Sequence, residues 1–224
     1  MGVLVVLVAR GEDRADLTES EMRGALLRVE EVGDDFVEDT DEDDDDDDEF
    51  DEDTADASEE CIALIKSVEE RDQLEIFGTP RADAEGAPSV MASFQGDDGT
   101  DVQQGITTDE GDPLALFREV LEVCGEIGFE DEDGAGELRF DEPDQVEVGD
   151  DSLTVEITFD LTEPIPFELS SLLVLWERDG ILSSLGVTGG VDADFDSRPP
   201  DRELLETLVT DADTKLQQVI DEDG

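Results

Sequence analysis

Histidine and tyrosine are absent from this sequence of 224 residues, and only two lysines occur, Lys66 and Lys215. Without histidine, the chain lacks the usual general base and the commonest metal ligand of proteins. Serines such as Ser170 and Ser183 therefore have no imidazole to activate them. The abundant carboxylates could supply a glycosidase-type pair or a metal cluster, but at this density any spacing arises by chance. We therefore expect a protein that is not an enzyme and needs no cofactor.

Apolar runs long enough to cross a membrane are also missing from the start of the chain. The segment 1–11 (MGVLVVLVARG) holds seven apolar residues from Val3 to Ala9, too few to span a bilayer. It is similar to the end of a signal-peptide core, and Ala9 and Gly11 place small residues where a cleavage site requires them, although the positively charged start is missing. We predict a truncated signal- or anchor-like segment at 1–15, with a first β-strand as the alternative. The protein should then be extracellular or associated with the cell envelope, without tight membrane insertion.

Positive charge is scarce, because 13 basic residues stand against 69 acidic ones and give a net charge of −56. Such a field repels nucleic acid and anionic lipid head groups, so neither is an expected partner. It also costs self-repulsion that cations must screen. Three explanations remain: a salt-rich or divalent-rich environment with Ca²⁺ or Mg²⁺ screening, a dedicated cation site, and acidic mimicry of DNA. The charges fall mostly in loops without regular spacing, which disfavours the last.

The densest charge lies at about residues 39–56, DTDEDDDDDDEFDEDTAD. Like charges packed so closely cannot bury surface, so we predict a disordered acidic loop. Its functional interpretation is weak condensation of Ca²⁺ or Mg²⁺ on six consecutive aspartates, Asp43, Asp44, Asp45, Asp46, Asp47 and Asp48. The segment lacks the glycine turn and the terminal glutamate of an EF-hand loop, so we predict no defined metal site.

Apolar periodicity predicts the secondary structure of the remaining chain. Helices are predicted at 17–27, where Thr18 and Glu21 form a capping box, around 29–32, after Ser58, after Asp112, and after 197–201. Strands are predicted at 74–77, 89–94, 102–107, 138–140, 146–148 and 153–161. In the last of these, apolar and polar residues alternate, so one face of that strand should be wet. Residues 16–224 should thus form a single α+β domain, with a largely antiparallel sheet and helices packed on it.

The chain is organised around 167–189 (FELSSLLVLWERDGILSSLGVTG), where two apolar runs flank Asp179-Gly180. That dipeptide favours a two-residue type I′ turn, because both positions need positive φ. A strand that is apolar on both faces is covered on both, so the hairpin should be the centre of the sheet. The turn also sets the register. It pairs Trp176 with Ser183, Val174 with Leu185, and Leu172 with Val187 on one face, and places Leu173 and Leu175 on the other.

Cysteine occurs only at two positions. Cys61 lies in the first turn of one predicted helix and Cys124 in the last turn of another, so antiparallel helices would bring them within disulfide reach. The even number of cysteines and the signal-like start both favour oxidation. Two buried free thiols are the alternative. We predict a disulfide between Cys61 and Cys124.

Several segments resemble a known family: LTESEMRGALLRVEEVGDDF, SEECIALI, LEVC, LLVLWERDGILSSLGV and PPDRELLETLVTDADTKLQQVI. In this order they are similar to secreted sensor-like domains of actinobacteria, which include the extracellular domain of PknH-type Ser/Thr kinases and related lipoproteins. The resemblance covers about residues 16–220. It implies an antiparallel sheet packed by helices, export, and binding or sensing at the envelope, and it also implies the Cys61–Cys124 bridge. The second disulfide of the kinase sensors is missing, and Arg10 and Gly11 stand where the lipoproteins carry their anchoring cysteine.

Together these features predict a non-enzymatic, extracytoplasmic sensor-like or ligand-binding module at the cell envelope. Its expected partner is an unknown small or envelope-derived ligand. The alternative is an acidic cation-binding or salt-adapted protein, and a carboxylate-dependent hydrolase is a third, less favoured hypothesis.

Overall fold

The computed structural model describes residues 17–39, 55–69, 88–108, 112–130, 135–163, 166–191 and 197–223. The signal-like segment 1–15, the aspartates 43–48 and the predicted strand 74–77 lie outside these ranges. Their predicted states therefore stay predictions.

The described residues include nine strands and five helices. The strands are β1 (Phe36–Asp39), β2 (Ala55–Asp56), β3 (Ser89–Gly96), β4 (Asp101–Thr107), β5 (Glu126–Glu130), β6 (Ala135–Asp141), β7 (Asp151–Glu163), β8 (Phe167–Arg178) and β9 (Ile181–Thr188). They form one antiparallel sheet in the order β1-β3-β4-β9-β8-β7-β6-β5-β2. The helices are α1 (Glu19–Ala25), α2 (Val29–Val32), α3 (Glu59–Glu69), α4 (Pro113–Cys124) and α5 (Arg202–Asp223). This architecture confirms the predicted α+β class.

The helix starts follow the capping residues that the sequence indicates. Thr18 and Glu21 form the capping box of α1. Ser58 accepts a hydrogen bond from the backbone N–H of Cys61, with 3.1 Å between the two atoms. Asp112 caps α4 in the same way and is followed by proline at the first helical position. No helix in the described part of the chain is long and apolar enough to cross a membrane.

The hairpin of β8 and β9 lies at the centre of the sheet, with β8 as the middle strand. Asp179 has φ of 50° and Gly180 has φ of 78°, as a type I′ turn requires. Trp176 lies opposite Ser183 and Val174 opposite Leu185, which confirms the predicted register. Trp176 is fully buried. The local turn chemistry therefore fixes which residues of the central strands face each layer.

Helices α1, α2 and α5 cover the first face of the sheet, which carries Trp176 and Val174. Two adjoining clusters form this core, and their members include Met22, Phe94, Ile106, Trp176, Leu185, Leu205 and Leu216. Polar contacts tie α5 to its neighbours. Arg178 of β8 binds both carboxylate oxygens of Asp213 at 2.6 Å. Lys215 Nζ donates to the carbonyl oxygen of Leu26 at 2.6 Å and to the Glu31 carboxylate at 2.7 Å.

Helices α3 and α4 pack on the second face. Their core includes Cys61, Ile65, Leu114, Phe117, Leu153, Val155, Leu173 and Leu175. The apolar side chains of β7 therefore point inward as its alternation indicates. Among the described residues, the sheet thus has a helical layer on each side.

The prediction of a wet face on β7 is wrong for Thr154 and Thr158, which are buried. The segment 142–150 is a loop, not the strand predicted at 146–148, and it folds back along β7. Gln145 accepts a hydrogen bond from Thr154 N at 2.7 Å, and Val146 N donates to Thr154 Oγ1 at 2.9 Å. The loop thus takes the place of a neighbouring strand where β6 has ended. β1, β2 and β5 are also present, although the sequence pattern gave no signal for them. The disordered loop predicted at about 39–56 is wrong at its two ends, because Asp39 and Ala55–Asp56 pair with neighbouring strands, and residues 40–54 lie outside the described ranges.

Candidate functional site

The second face of the sheet carries three phenylalanines outside the core cluster that it forms with the described residues of α3 and α4. Beyond the residues beneath α3 and α4, the same strands carry Phe129 on β5, Phe159 on β7 and Phe167 on β8. All three are half-buried, and none belongs to the core cluster formed by the described residues of that layer. We call these three side chains the aromatic patch.

The rings of the aromatic patch pack against one another. The centroids of Phe129 and Phe159 are 5.3 Å apart with 13° between the ring planes, a stacked arrangement. The centroids of Phe159 and Phe167 are 6.0 Å apart and the planes are tilted by 49°. Such pairs contribute about 0.5–1.5 kcal/mol beyond the burial of their area. The rings therefore hold one another in place while part of their surface stays accessible.

A glycine makes room for the aromatic patch. Gly136 of β6 lies opposite Leu161 on the same face. A Cβ atom at this position would lie 2.5 Å from Cζ of Phe129 and 2.6 Å from the carbonyl oxygen of Asp160. Both distances are far below van der Waals contact, so a larger residue would displace the ring or the backbone. The position of the Phe129 ring therefore depends on the absence of a side chain at Gly136.

Polar side chains continue the same face across the next strands. Ser171 of β8, Thr188 of β9, Asp101 of β4 and Gln95 of β3 lie directly opposite one another in a line. The hydroxyl oxygens of Ser171 and Thr188 are 2.8 Å apart and hydrogen-bonded. We call these four residues the polar row. It adjoins the aromatic patch, because Ser171 is two residues from Leu169, which lies opposite Phe159.

Asp101 has an unusual electrostatic environment for a partly exposed carboxyl group. Burial raises its pKa, and a hydrogen bond with the Gln95 side chain opposes that rise. The negative charge of Asp39, at the end of β1, raises the pKa further. The net shift is upward, since burial and like-charge repulsion both disfavour the ionised form. Within the polar row, Asp101 is thus a carboxyl group whose ionised form its surroundings disfavour on balance.

Exposed apolar surface is concentrated on this face. The exposed large hydrophobic residues among the described ones are Val37, with 59 % of its surface accessible, and Met91, with 41 %. Val37 lies opposite Gln95 and Met91 opposite Gly105, so both belong to the second face. Together with the aromatic patch they mark it as the apolar part of an otherwise strongly charged surface.

Of the residues singled out from the sequence, the structure brings the two cysteines together. Cys61 and Cys124 form a disulfide with their Cα atoms 5.1 Å apart, as predicted. It joins the start of α3 to the end of α4, beside the part of the second face that these helices cover. Asp43–Asp48 lie outside the described ranges. Within those ranges, no group of three or more cysteine or acidic side chains is placed to hold a metal ion.

The aromatic patch and the polar row were missed by sequence reasoning. The alternation of β7 identified Phe159 and Leu161 as inward-facing, but not that Phe159 lies outside the core cluster that forms beneath α3 and α4.

A scan against known protein families finds no match to this sequence, and a search of curated proteins also finds none. Among solved structures, the chain is similar to a putative uncharacterised protein from Mycobacterium smegmatis. The sequence identity is 17 % and the TM-score is 0.42, over 70 % of this chain and 73 % of that chain.

Proposed function

We propose that this protein is a non-enzymatic, extracytoplasmic ligand-binding module of the sensor-like type, and that its ligand lies on the aromatic patch. The observation that carries the proposal is the set of half-buried, mutually contacting rings of Phe129, Phe159 and Phe167. Partly accessible apolar rings outside the core cluster of a sheet face are typical of a binding surface. The ligand is a small or envelope-derived molecule with an apolar body.

The chemistry of the neighbouring groups supports recognition. The hydroxyls of Ser171 and Thr188 and the amide of Gln95 can donate and accept hydrogen bonds. Ser171 lies two residues beyond Leu169 on the same face, so a ligand that extends from the rings along β8 would meet the hydroxyls of Ser171 and Thr188 first. A few convergent polar groups beside an apolar surface are the usual composition of a small-molecule site.

The compartment is supported by the disulfide. Bridges such as Cys61–Cys124 persist in oxidising environments and are rare in reducing ones. The signal-like segment 1–15 and the resemblance to secreted actinobacterial sensor-like domains point the same way. We therefore place the module outside the cytoplasm, at the envelope.

Titration with the uncharged fluorescent probe N-phenylnaphthylamine tests the proposal, because its emission rises in apolar sites. We expect saturable binding that Phe159→Ala weakens at least fivefold. Phe36→Ala is the matched control, since Phe36 is a half-buried phenylalanine that packs on the first face. Circular dichroism verifies that each variant is folded. Equal affinities of the two variants, or no saturable binding by the wild type, would contradict the proposal.

Salt adaptation is the second candidate, and the outer face of α5 favours it. Glu203, Glu206, Asp211, Asp221 and Glu222 are all exposed there. Repulsion among such charges falls as ions screen them. Thermal unfolding in increasing KCl should show a Tm that rises steeply up to molar salt. A flat response would remove this candidate and leave the binding proposal untouched.

A further inference from the structure

We infer that the ligand is an uncharged amphipathic molecule whose apolar body lies on the aromatic patch and whose hydroxyl end is bound by Ser171 and Thr188. We call these two residues the hydroxyl pair. This inference rests on the proposed function and adds the chemical class of the ligand. It requires that the hydroxyl pair lies within reach of the rings, retains hydrogen-bonding capacity, and is separated from them by no charged group.

The hydroxyl pair lies beside the aromatic patch on the second face. Leu169 of β8 is directly opposite Phe159, and Ser171 follows it two residues later on the same face. Ser171 is therefore a diagonal neighbour of Phe159, and diagonal neighbours on paired strands are about 7–8 Å apart. Leu169 is half-buried and adds apolar surface between the ring and the hydroxyl. A body that contacts Phe159 and Leu169 can thus bring its end to Ser171.

The hydroxyl pair has one O–H group left for a ligand. Ser171 and Thr188 lie directly opposite each other on β8 and β9, and their oxygens are 2.8 Å apart. One hydroxyl donates in this bond, and the other O–H has no partner among the described residues. Both side chains are partly exposed. A ligand hydroxyl can accept from that O–H and donate to a lone pair of either oxygen, whereas a carbonyl group can only accept.

Among the described residues, no charged group lies between the aromatic patch and the hydroxyl pair. Arg139 of β6 and Glu168 of β8 belong to the same strands, but the alternation of side chains places both on the first face. There the Arg139 guanidinium lies 3.6 Å from the Glu168 carboxylate. Asp101 lies on the far side of Thr188, one strand farther from the rings. A charged ligand end would therefore lose hydration without gaining a partner of opposite charge at Ser171.

The test uses four ligands with one apolar body and different ends: phenylbutanol, butylbenzene, phenylbutanoate and phenylbutylammonium. Each is titrated against N-phenylnaphthylamine bound to the whole chain at neutral pH. The titrations are run in about 1 M KCl, where the Debye length is only about 3 Å and the overall field of the acidic protein is screened. We expect phenylbutanol to displace the probe more tightly than either charged ligand.

Two variants test the hydroxyl pair itself. Ser171→Ala and Thr188→Val should each weaken phenylbutanol about fivefold and leave butylbenzene unchanged, because only the alcohol loses a hydrogen bond. Ser170→Ala is the matched control. Ser170 is the neighbouring serine of β8 and lies on the opposite face, where its hydroxyl is 3.4 Å from that of Thr158. Circular dichroism verifies that each variant is folded.

The outcomes separate the inference from the proposed function. If neither phenylbutanol nor butylbenzene displaces the probe, the proposed function is wrong and the inference falls with it. If both displace it, but Ser171→Ala and Thr188→Val weaken phenylbutanol no more than Ser170→Ala does, the hydroxyl pair does not bind the ligand and the apolar site stands. A charged ligand that binds as tightly as phenylbutanol would also overturn the inference. A loss confined to phenylbutanol in the two variants supports it.

Discussion

Gly136 lies directly beneath the ring of Phe129, so close that a Cβ atom at 136 would fall 2.5 Å from Cζ of the ring. The same atom would lie 2.6 Å from the backbone oxygen of Asp160, which cannot move as a side chain can. The glycine therefore couples the backbone of β6 to the position of the aromatic patch.

Gly136→Ala should destabilise the protein by about 2 kcal/mol, because overpacking at this site forces a backbone shift. It should also weaken binding of N-phenylnaphthylamine, since the ring of Phe129 is displaced. Gly24→Ala in α1 is the control, because a Cβ there meets no atom within 4 Å. That change should instead stabilise by about 0.5–1 kcal/mol. Urea unfolding measures both, and equal effects of the two substitutions would contradict this view of Gly136.

Lys215 joins α5 to the loop after α1 and to α2, and Lys215→Met should cost about 1–2 kcal/mol. The change keeps the apolar stem and leaves the carbonyl oxygen of Leu26 without its ammonium donor. The control is Arg23→Met, which breaks the exposed Arg23–Glu19 pair of α1. Exposed pairs of this kind contribute only a few tenths of a kcal/mol. Comparable losses in the two variants would show that the buried anchoring of Lys215 adds nothing.

The hydrogen bond from Lys215 to the Glu31 carboxylate should also make the stability of the protein depend on pH. Burial alone raises the pKa of Glu31, but the hydrogen bond from Lys215, the backbone N–H of Arg28 and the lysine charge outweigh it and lower the pKa below 4.5. A depressed pKa in the folded state means that the stabilisation is present above the ordinary pKa and lost as pH falls through the folded value. The Tm of the wild type should therefore fall between neutral pH and about pH 3, and the Tm of Glu31→Gln should fall less over the same range. An identical pH profile in wild type and variant would refute it.

Asp101 should show the opposite pH dependence, because its pKa is raised and not lowered. Because its pKa is raised in the folded state, its contribution to stability is greatest in acid and is lost as pH rises through that value. Asp101→Asn should raise the Tm at neutral pH, and the gain should vanish below pH 3.8, where the wild-type carboxyl is protonated in both states. Asp211→Asn controls for the removal of one negative charge. A gain no larger than that of the control would contradict the raised pKa.

Loss of the disulfide should cost about 4 kcal/mol in the chain-entropy model, because it closes a loop of 63 residues. The double variant Cys61→Ser, Cys124→Ser avoids a leftover thiol. Its Tm and its urea midpoint should both fall, and the wild type should approach the same values in reducing agent. If reducing agent leaves the Tm of the wild type unchanged and the double variant is equally stable, the bridge contributes nothing to stability.

The elements that the sequence predicted correctly follow from local rules. Asp179-Gly180 specifies a turn, that turn specifies the register, and the register places Trp176 in the core. Cys61 and Cys124 sit at helix ends whose periodicity is visible in the sequence, so their proximity follows if the two helices run antiparallel.

The parts that were missed depend on contacts between distant segments. Thr154 is buried because Gln145 and Val146 fold back on it, and nothing in the alternation of β7 reveals that loop. The rings of the aromatic patch are half-buried and lie outside the core cluster beneath α3 and α4. Where a helical layer ends over a sheet is set by packing across the whole face, so the candidate site could not be predicted from the periodicity of either layer.

The most direct test of the central claim follows the phenylalanine ring signals by NMR while octanol is added to protein with isotope-labelled phenylalanine. The account predicts saturable shifts of Phe129, Phe159 and Phe167, with one dissociation constant, while Phe36 and Phe94 on the first face stay unchanged. Single substitutions assign the signals. Shifts that are absent from the three patch rings, or equal in size at Phe36 and Phe94, would contradict a ligand site on the second face.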